Sequence, residues 1–219
     1  MTRLPVAVLI SGRGSNLQAL IEACASPTFP ARIVLVLANV ADAGGLVRAA
    51  RAGIATTVVS NKDFPNREAF DAAMQRQIVA AGAELVCLAG FMRVLSKPFV
   101  DTFRDRLINI HPSLLPAFPG LHVHQRALTA GVRFSGCTVH FVRAETDVGP
   151  IIVQAAVPVL ADDTPETLAA RVLASEHVCY PQAVRWIAEG RVSLDGDRVV
   201  IRGVDSPAGT QINPKSASA

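Results

Sequence analysis

Short apolar runs rich in β-branched residues alternate with longer alanine-rich stretches of helical spacing through the first half of the chain, the pattern of repeated strand–helix–strand units. The runs predict strands over residues 5–10, 33–38, 55–59, 85–89 and 107–110, with helices over 16–25, 46–52, 67–81 and 98–103 between them. These strands are almost wholly apolar and do not alternate, so both of their faces are expected to be covered, as in a parallel sheet. The fold class is therefore α/β, an open, mainly parallel, doubly wound layer.

After Ile110 the pattern changes. A loop punctuated by Pro112, Pro116, Pro119 and Gly120 leads to a short helix and then to strands over 137–142 and 151–157. A long helix is expected from Thr164, a suitable N-cap, to Glu189, with Pro181 inside it predicting a kink or break. Residues 191–194 and 198–201, joined by Asp195-Gly196-Asp197, read as a hairpin. With no charged or low-complexity linker before residue 206, one domain is expected over residues 1–205, and 206–219 as a frayed tail.

Composition supports a packed core: of 219 residues 50% are apolar and 18% charged, the reverse of a disordered chain. The formal charge is +3, and no block of five or six like charges marks a nucleic-acid arm, so small-molecule substrates are the expected partners. Arg3, the apolar run that follows it and Ala23-Cys24-Ala25 imitate a secretory signal, but polar residues 11–16 and Glu22 separate run from cleavage site. No run approaches the roughly 18 apolar residues of a membrane helix. The four cysteines are isolated, as expected of small core residues in a reducing compartment. A cytoplasmic protein is expected, with neither a membrane nor a nucleic-acid partner; monomer and homodimer remain open.

Three places carry chemistry. Ser11-Gly12-Arg13-Gly14-Ser15-Asn16 follows a strand and opens a helix, where backbone N–H groups can hold a phosphate. It lacks the G-K-[ST] of a P-loop and the third glycine of a dinucleotide fingerprint, and a tight turn capped by Ser15 is the plain alternative. Asn109-Ile110-His111-Pro112 lies at the end of the fifth strand, the edge where open α/β sheets bind ligands, and Asn109 and His111 share parity and hence a face. Asp147-Val148-Gly149-Pro150 reads as a turn unless Asp147 reaches His111, where a carboxylate would favour and orient the imidazolium. His122 and His124 supply too few ligands for a metal, and none is assigned. No nucleophile elbow or papain-type cysteine motif is present.

Together, residues 10–17, Leu88-Ala89-Gly90-Phe91-Met92-Arg93, residues 109–116, Pro119-Gly120-Leu121-His122 and Asp147-x-Gly149-Pro150 resemble the phosphoribosylglycinamide formyltransferase family, over Val6 to about Arg191. The resemblance implies the formyltransferase fold and transfer of a formyl group from 10-formyltetrahydrofolate, as co-substrate and without a metal, to the glycyl amine of glycinamide ribonucleotide in purine synthesis. It implies Asn109, His111 and Asp147 as catalytic residues, and Gly14, Ser15, Asn16 and Glu176 at the ribonucleotide. It implies folate contacts from Arg67, Met92, Arg93, Val94, Leu95, Asn109, Arg143, Ala144, Glu145, Thr146 and Asp147. Ala117-Phe118 departs from the family, where a polar or basic residue often precedes the aromatic, and the chain after Arg191 has no counterpart. Methionyl-tRNA formyltransferase and formyltetrahydrofolate hydrolase share the trio but carry further domains for which 219 residues leave no room. A non-catalytic nucleotide- or folate-binding module would have no use for His111 beside Asp147.

Overall fold

The computed structural model describes residues 2–205 and 209–214. Seven strands form one sheet: β1 (Leu4–Ile10), β2 (Ala31–Ala38), β3 (Thr56–Val58), β4 (Leu85–Leu88), β5 (Leu107–His111), β6 (Phe134–Phe141) and β7 (Ile151–Pro158), in spatial order β3-β2-β1-β4-β5-β6-β7. The five strands from β3 to β5 are parallel, whereas β5–β6 and β6–β7 pair antiparallel. Among the described residues six α-helices accompany the sheet: α1 (Ser15–Ala25), α2 (Gly44–Arg51), α3 (Arg67–Ala80), α4 (Lys97–Thr102), α5 (Val123–Thr129) and α6 (Pro165–Ala188). A separate antiparallel hairpin follows, β8 (Val192–Asp195) and β9 (Arg198–Ile201).

Both faces of the parallel set are buried, as the unbroken apolar runs require. Alternate residues Val6, Val8 and Ile10 of β1 pack with Leu17, Leu20 and the α6 residues Val172, Tyr180 and Val184. Their neighbours Ala7 and Leu9 face the opposite way, against Phe70, Met74 and Ile78 of α3 and Phe99 and Phe103. Tyr180 carries its hydroxyl into this core and donates to the carbonyls of Leu88 (2.9 Å) and Ile108 (3.3 Å), fixing α6 across β4 and β5. The hairpin lays Leu194, Val199 and Ile201 against the same cluster as α6.

Of the kink or break expected at Pro181, the break does not occur: α6 runs as one helix through it. Proline there deletes a single N–H, the one that would reach the His177 carbonyl, while Cys179, Tyr180, Ala183 and Val184 stay buried around it. Thr164 does cap the helix, exchanging hydrogen bonds with Thr167. Helix α1 differs from the plain alternative in which Ser15 caps it. Its N-cap is Gly14, in the left-handed region at φ 72°, with no side-chain cap and no acidic residue in the first turn. Residues 206–208 and 215–219, most of the expected frayed tail, lie outside the described residues; within the rest, the Asn213 amide donates to the carbonyl of Val159 at 2.9 Å.

Gly14 is needed for more than its dihedrals. A Cβ there would stand 2.7 Å from Cα of Gly45, and one on Gly45 would stand 2.5 Å from Cδ1 of Ile10. The turn after β1 and the start of α2 therefore touch backbone to backbone, with the Gly45 N–H bonded to the Gly12 carbonyl at 3.1 Å. Gly14→Ala is expected to lower the free energy of unfolding by about 1–3 kcal/mol from the strained conformation alone. Gly12→Ala, whose Cβ meets nothing within 4 Å, should unfold in urea close to wild type; equal losses in the two variants would disprove the Gly14–Gly45 contact as the cause.

Candidate active site

The parallel strands β1, β4 and β5 lie side by side, so Ser11, Gly90 and Pro112 leave the sheet at one edge. β1 is also where the strand order reverses, β2 lying on one side and β4 on the other, and ligands of open α/β sheets bind outside such a crevice. The last residues of β5 carry Asn109 and His111 to this edge on the same face. Asp147 arrives from the corner between β6 and β7, held in the left-handed region at φ 56°. Nearby, Gly149 has φ 142°, and a Cβ on it would overlap the Phe141 carbonyl oxygen. Glycine is therefore required where the corner closes.

His111 Nδ1 lies 3.3 Å from Asp147 Oδ1, with both side chains about nine-tenths buried. The other ring nitrogen, Nε2, lies 3.0 Å from the Phe118 carbonyl oxygen. With an acceptor facing each nitrogen, the ring is set up to carry two protons. Burial alone would lower its pKa, but the hydrogen bond to Asp147, the Phe118 carbonyl and the negative charges of Asp147 and Glu176 outweigh that and hold it above its ordinary value. Asp147 is held low in spite of its own burial, through His111 and through the Gly120 N–H, which donates to Oδ2 at 2.7 Å.

The antiparallel pairing of β5 and β6 sets His140 opposite Asn109, and Nε2 of this buried ring lies 3.3 Å from Asn109 Nδ2. His140 Nδ1 donates to the Phe141 carbonyl at 3.0 Å, which leaves Nε2 as the acceptor for the amide. Burial lowers the His140 pKa, consistent with that neutral tautomer. One amide proton of Asn109 is thus fixed on His140 while the other remains for a ligand. Thr138, opposite His111, accepts from the Leu115 N–H (3.0 Å) and donates to the Ser113 carbonyl (2.6 Å), and Gln154 donates to the Leu115 carbonyl (2.9 Å). These bonds hold the loop after β5, whose Leu115-Pro116 peptide is cis. Sequence reading did not single out His140, Thr138 or Gln154; a polar residue inside an otherwise buried strand run was the available signal.

Among the residues expected at the ribonucleotide, Asn16 and Glu176 meet: Asn16 Nδ2 donates to Glu176 Oε2 at 2.7 Å, both residues being buried. Burial pushes the Glu176 pKa up, against the Asn16 hydrogen bond and the charge of His111. Gly14 and Ser15 stand at the uncapped start of α1, beside a cavity lined by Ser15, Gln18, Arg48 and His177. Of the residues expected at folate, Met92, Arg93 and Val94 form an exposed loop and Leu95 turns inward. Arg67 is exposed at the first position of α3. The Arg143 guanidinium is held by Asp105 at 2.8 Å, while Ala144, Glu145 and Thr146 are exposed at the β6–β7 corner. His122 is the N-cap of α5, at φ 55°, and His124 lies in that helix; among the described residues no group of three or more metal-ligating side chains converges.

A family described as formyl transferase matches residues 4–184. The phosphoribosylglycinamide formyltransferase of Escherichia coli (strain K12) is 47% identical over 205 residues, covering 90% of this chain and 97% of that protein. The trifunctional purine biosynthetic protein adenosine-3 of Drosophila pseudoobscura pseudoobscura is 56% identical over 190 residues, which is 86% of this chain but 14% of that protein. The chain thus spans about a seventh of that multifunctional relative. Among solved structures, glycinamide ribonucleotide transformylase 1 from Symbiobacterium toebii is 51% identical with a TM-score of 0.89, covering 91% and 94% of the two chains. A formyltetrahydrofolate deformylase from Burkholderia mallei shares the fold at TM-score 0.83 and 32% identity, covering 91% of this chain and 70% of that one. With the sheet order, these matches define an α/β protein of the formyl transferase class. The chain belongs to the formyl transferase family.

The sign of the pH dependence follows from the shifts. A histidine whose folded pKa is raised adds stability in full below its unfolded value, about 6.5, and loses that contribution as pH rises through the folded value. In an NMR titration, His111 is expected to show a midpoint above 6.5 in the wild-type protein and a lower one in Asp147→Asn, where the neutral amide no longer favours the imidazolium. An unchanged midpoint in the variant would show that Asp147 does not set the charge on His111.

Proposed function

We propose that this chain transfers the formyl group of 10-formyltetrahydrofolate to the glycyl amine of 5'-phosphoribosylglycinamide, a step of purine biosynthesis. The observation that carries the reading is the buried His111–Asp147 pair beside Asn109 at the carboxyl edge of the sheet. The names of the relatives supply the substrates.

In this reading the acceptor's phosphate sits on the free N–H groups at the start of α1, where Gly14, Ser15 and Asn16 offer backbone donors and the positive helix end. Glu176, with Asn16 on it, contacts the ribonucleotide. The folate lies along Met92, Arg93, Val94 and Leu95, with Arg67 and the segment from Arg143 to Asp147 as further contacts. The acceptor amine attacks the formyl carbon, the carbonyl π pair moves to oxygen, and Asn109 and the His111 imidazolium donate to that oxyanion. In the free enzyme the Nε2 proton rests on the Phe118 carbonyl, so the substrate oxygen must share or take over that hydrogen bond. As the tetrahedral centre collapses, the bond from carbon to the folate nitrogen breaks, and the proton released by the amine reaches that nitrogen through His111 or a water held by Asp147. Preorganised oxyanion donors are worth about 10²–10³ in rate each, and holding two substrates together supplies much of the rest.

Such a reaction uses small soluble substrates and the cytoplasm is its proposed location, without membrane or nucleic-acid partners; among the described residues no helix is long and apolar enough to cross a membrane. The reading is tested by offering glycinamide ribonucleotide, methionyl-tRNA and water separately as formyl acceptors. Transfer is expected to the ribonucleotide, and formate release as the sole reaction would replace this reading with a hydrolase. His111→Asn is expected to lower kcat by about 10²–10⁴ with both substrates still bound. The double variant with Asp147→Asn should be little worse than the worse single one, because the two side chains act as a unit.

A further inference from the structure

The exposed loop between β4 and α4 is gripped by one side chain at each end. At its start, the Ser11 N–H donates to the Gly90 carbonyl at 3.2 Å and the Ser11 Oγ accepts from the Met92 N–H at 2.8 Å. At its far end, Asp71, buried in α3, accepts from the Ser96 N–H at 2.6 Å. Between these anchors Met92, Arg93 and Val94 stand in solvent. Asp71 is carried by the same helix as Arg67, so it ties together two parts of the folate side only. Ser11 is different, because it is also the first residue of the turn that leads to the uncapped start of α1. One residue therefore belongs to the acceptor turn by its backbone and to the folate loop by its hydroxyl.

We propose that Ser11 is a positioning residue that couples the two substrate pockets, so that occupancy of the acceptor turn tightens the folate loop and the reverse. The inference rests on the substrate assignment made above. Its physical basis is the state of the hydroxyl. Oγ accepts from Met92, while among the described residues its own proton has no acceptor. A dianionic phosphate on the turn supplies negative charge toward which that proton can turn, and a hydroxyl that donates to an anion accepts more strongly from its other partner. The far half of the turn packs closely on Gly45, where even a Cβ on Gly14 has no room. Thermodynamic linkage makes the effect reciprocal: whatever factor the acceptor confers on folate binding, folate confers on acceptor binding.

The experiment uses the unreactive pair glycinamide ribonucleotide and tetrahydrofolate, neither of which carries a formyl group. The Kd of tetrahydrofolate is measured by titration calorimetry on the whole protein, with and without saturating ribonucleotide. In the wild type the ribonucleotide is expected to lower that Kd by about three- to tenfold, the usual net worth of one hydrogen bond. In Ser11→Ala the factor should fall to about one, and in Ser11→Thr, which keeps the hydroxyl, it should return. Asp71→Asn serves as the comparison: it should weaken tetrahydrofolate binding in both conditions and leave the factor intact. A wild-type factor of one, or a factor surviving in Ser11→Ala, or one lost equally in Asp71→Asn, overturns the assignment of Ser11. If the wild-type protein binds neither ligand, the substrate assignment itself falls, and this inference with it.

Discussion

An imidazole whose surroundings favour its charged form and a carboxylate held below its usual range are buried together at the end of β5, and much of the surrounding backbone is arranged so that this is tolerable. Taking either ion out of water costs several kcal/mol, and their mutual attraction offsets that cost only where the remaining protons and lone pairs are also satisfied. Here the second imidazole N–H finds the Phe118 carbonyl and the second carboxylate oxygen finds the Gly120 N–H. Both partners lie in the loop after β5, which the Thr138 and Gln154 side chains hold from β6 and β7. Asp147 meanwhile depends on a left-handed backbone and a glycine two residues on, where no side chain fits. Displacing the loop after β5 would leave both groups without their second partners.

The change from parallel to antiparallel pairing at β6 has a chemical consequence. A sixth parallel strand would have placed a different residue opposite Asn109. The antiparallel register places His140 there, buried and neutral, with its lone pair toward the amide. Two histidines on neighbouring strands are thus shifted in opposite directions for separable reasons. His111 has carboxylates to favour its charge, whereas burial dominates at His140. His111 has an acceptor at each ring nitrogen, whereas His140 presents a lone pair that aims Asn109.

The parallel half of the sheet was legible because strands covered on both faces must be apolar throughout, as residues 5–10 and 85–89 are. Turn glycines and site motifs were also legible, and five short motifs in order carried the family. What escaped depends on contacts distant in sequence. β6 begins at Phe134, not at residue 137: Gly136 lies within it where a Cβ would strike the Ala155 carbonyl of β7, a close approach visible only once the two strands are paired. α2 begins at Gly44 for the same reason: glycine disfavours helix locally, but Gly45 must pass against Gly14. His140 has meaning only once the β5–β6 register is known. Arg143 is a folate contact by resemblance alone; that its guanidinium is held by Asp105 is a side-chain direction that no spacing in the sequence encodes.

The same electrostatic reasoning accounts for a carboxyl group close to a turn suited to phosphate. An ionised Glu176 beside a bound dianion would be repelled, and nothing in the first turn of α1 is acidic. Glu176, however, is buried, its pKa is pushed up, and the Asn16 amide of the same turn already donates to it. His111 pulls the other way, since its charge favours the ionised carboxylate. Negative charge arriving on the backbone donors of α1 and positive charge held at His111 therefore act in opposite senses on one buried carboxyl group. The helix start, by contrast, offers only fixed dipoles, which hold an anion without any proton having to move.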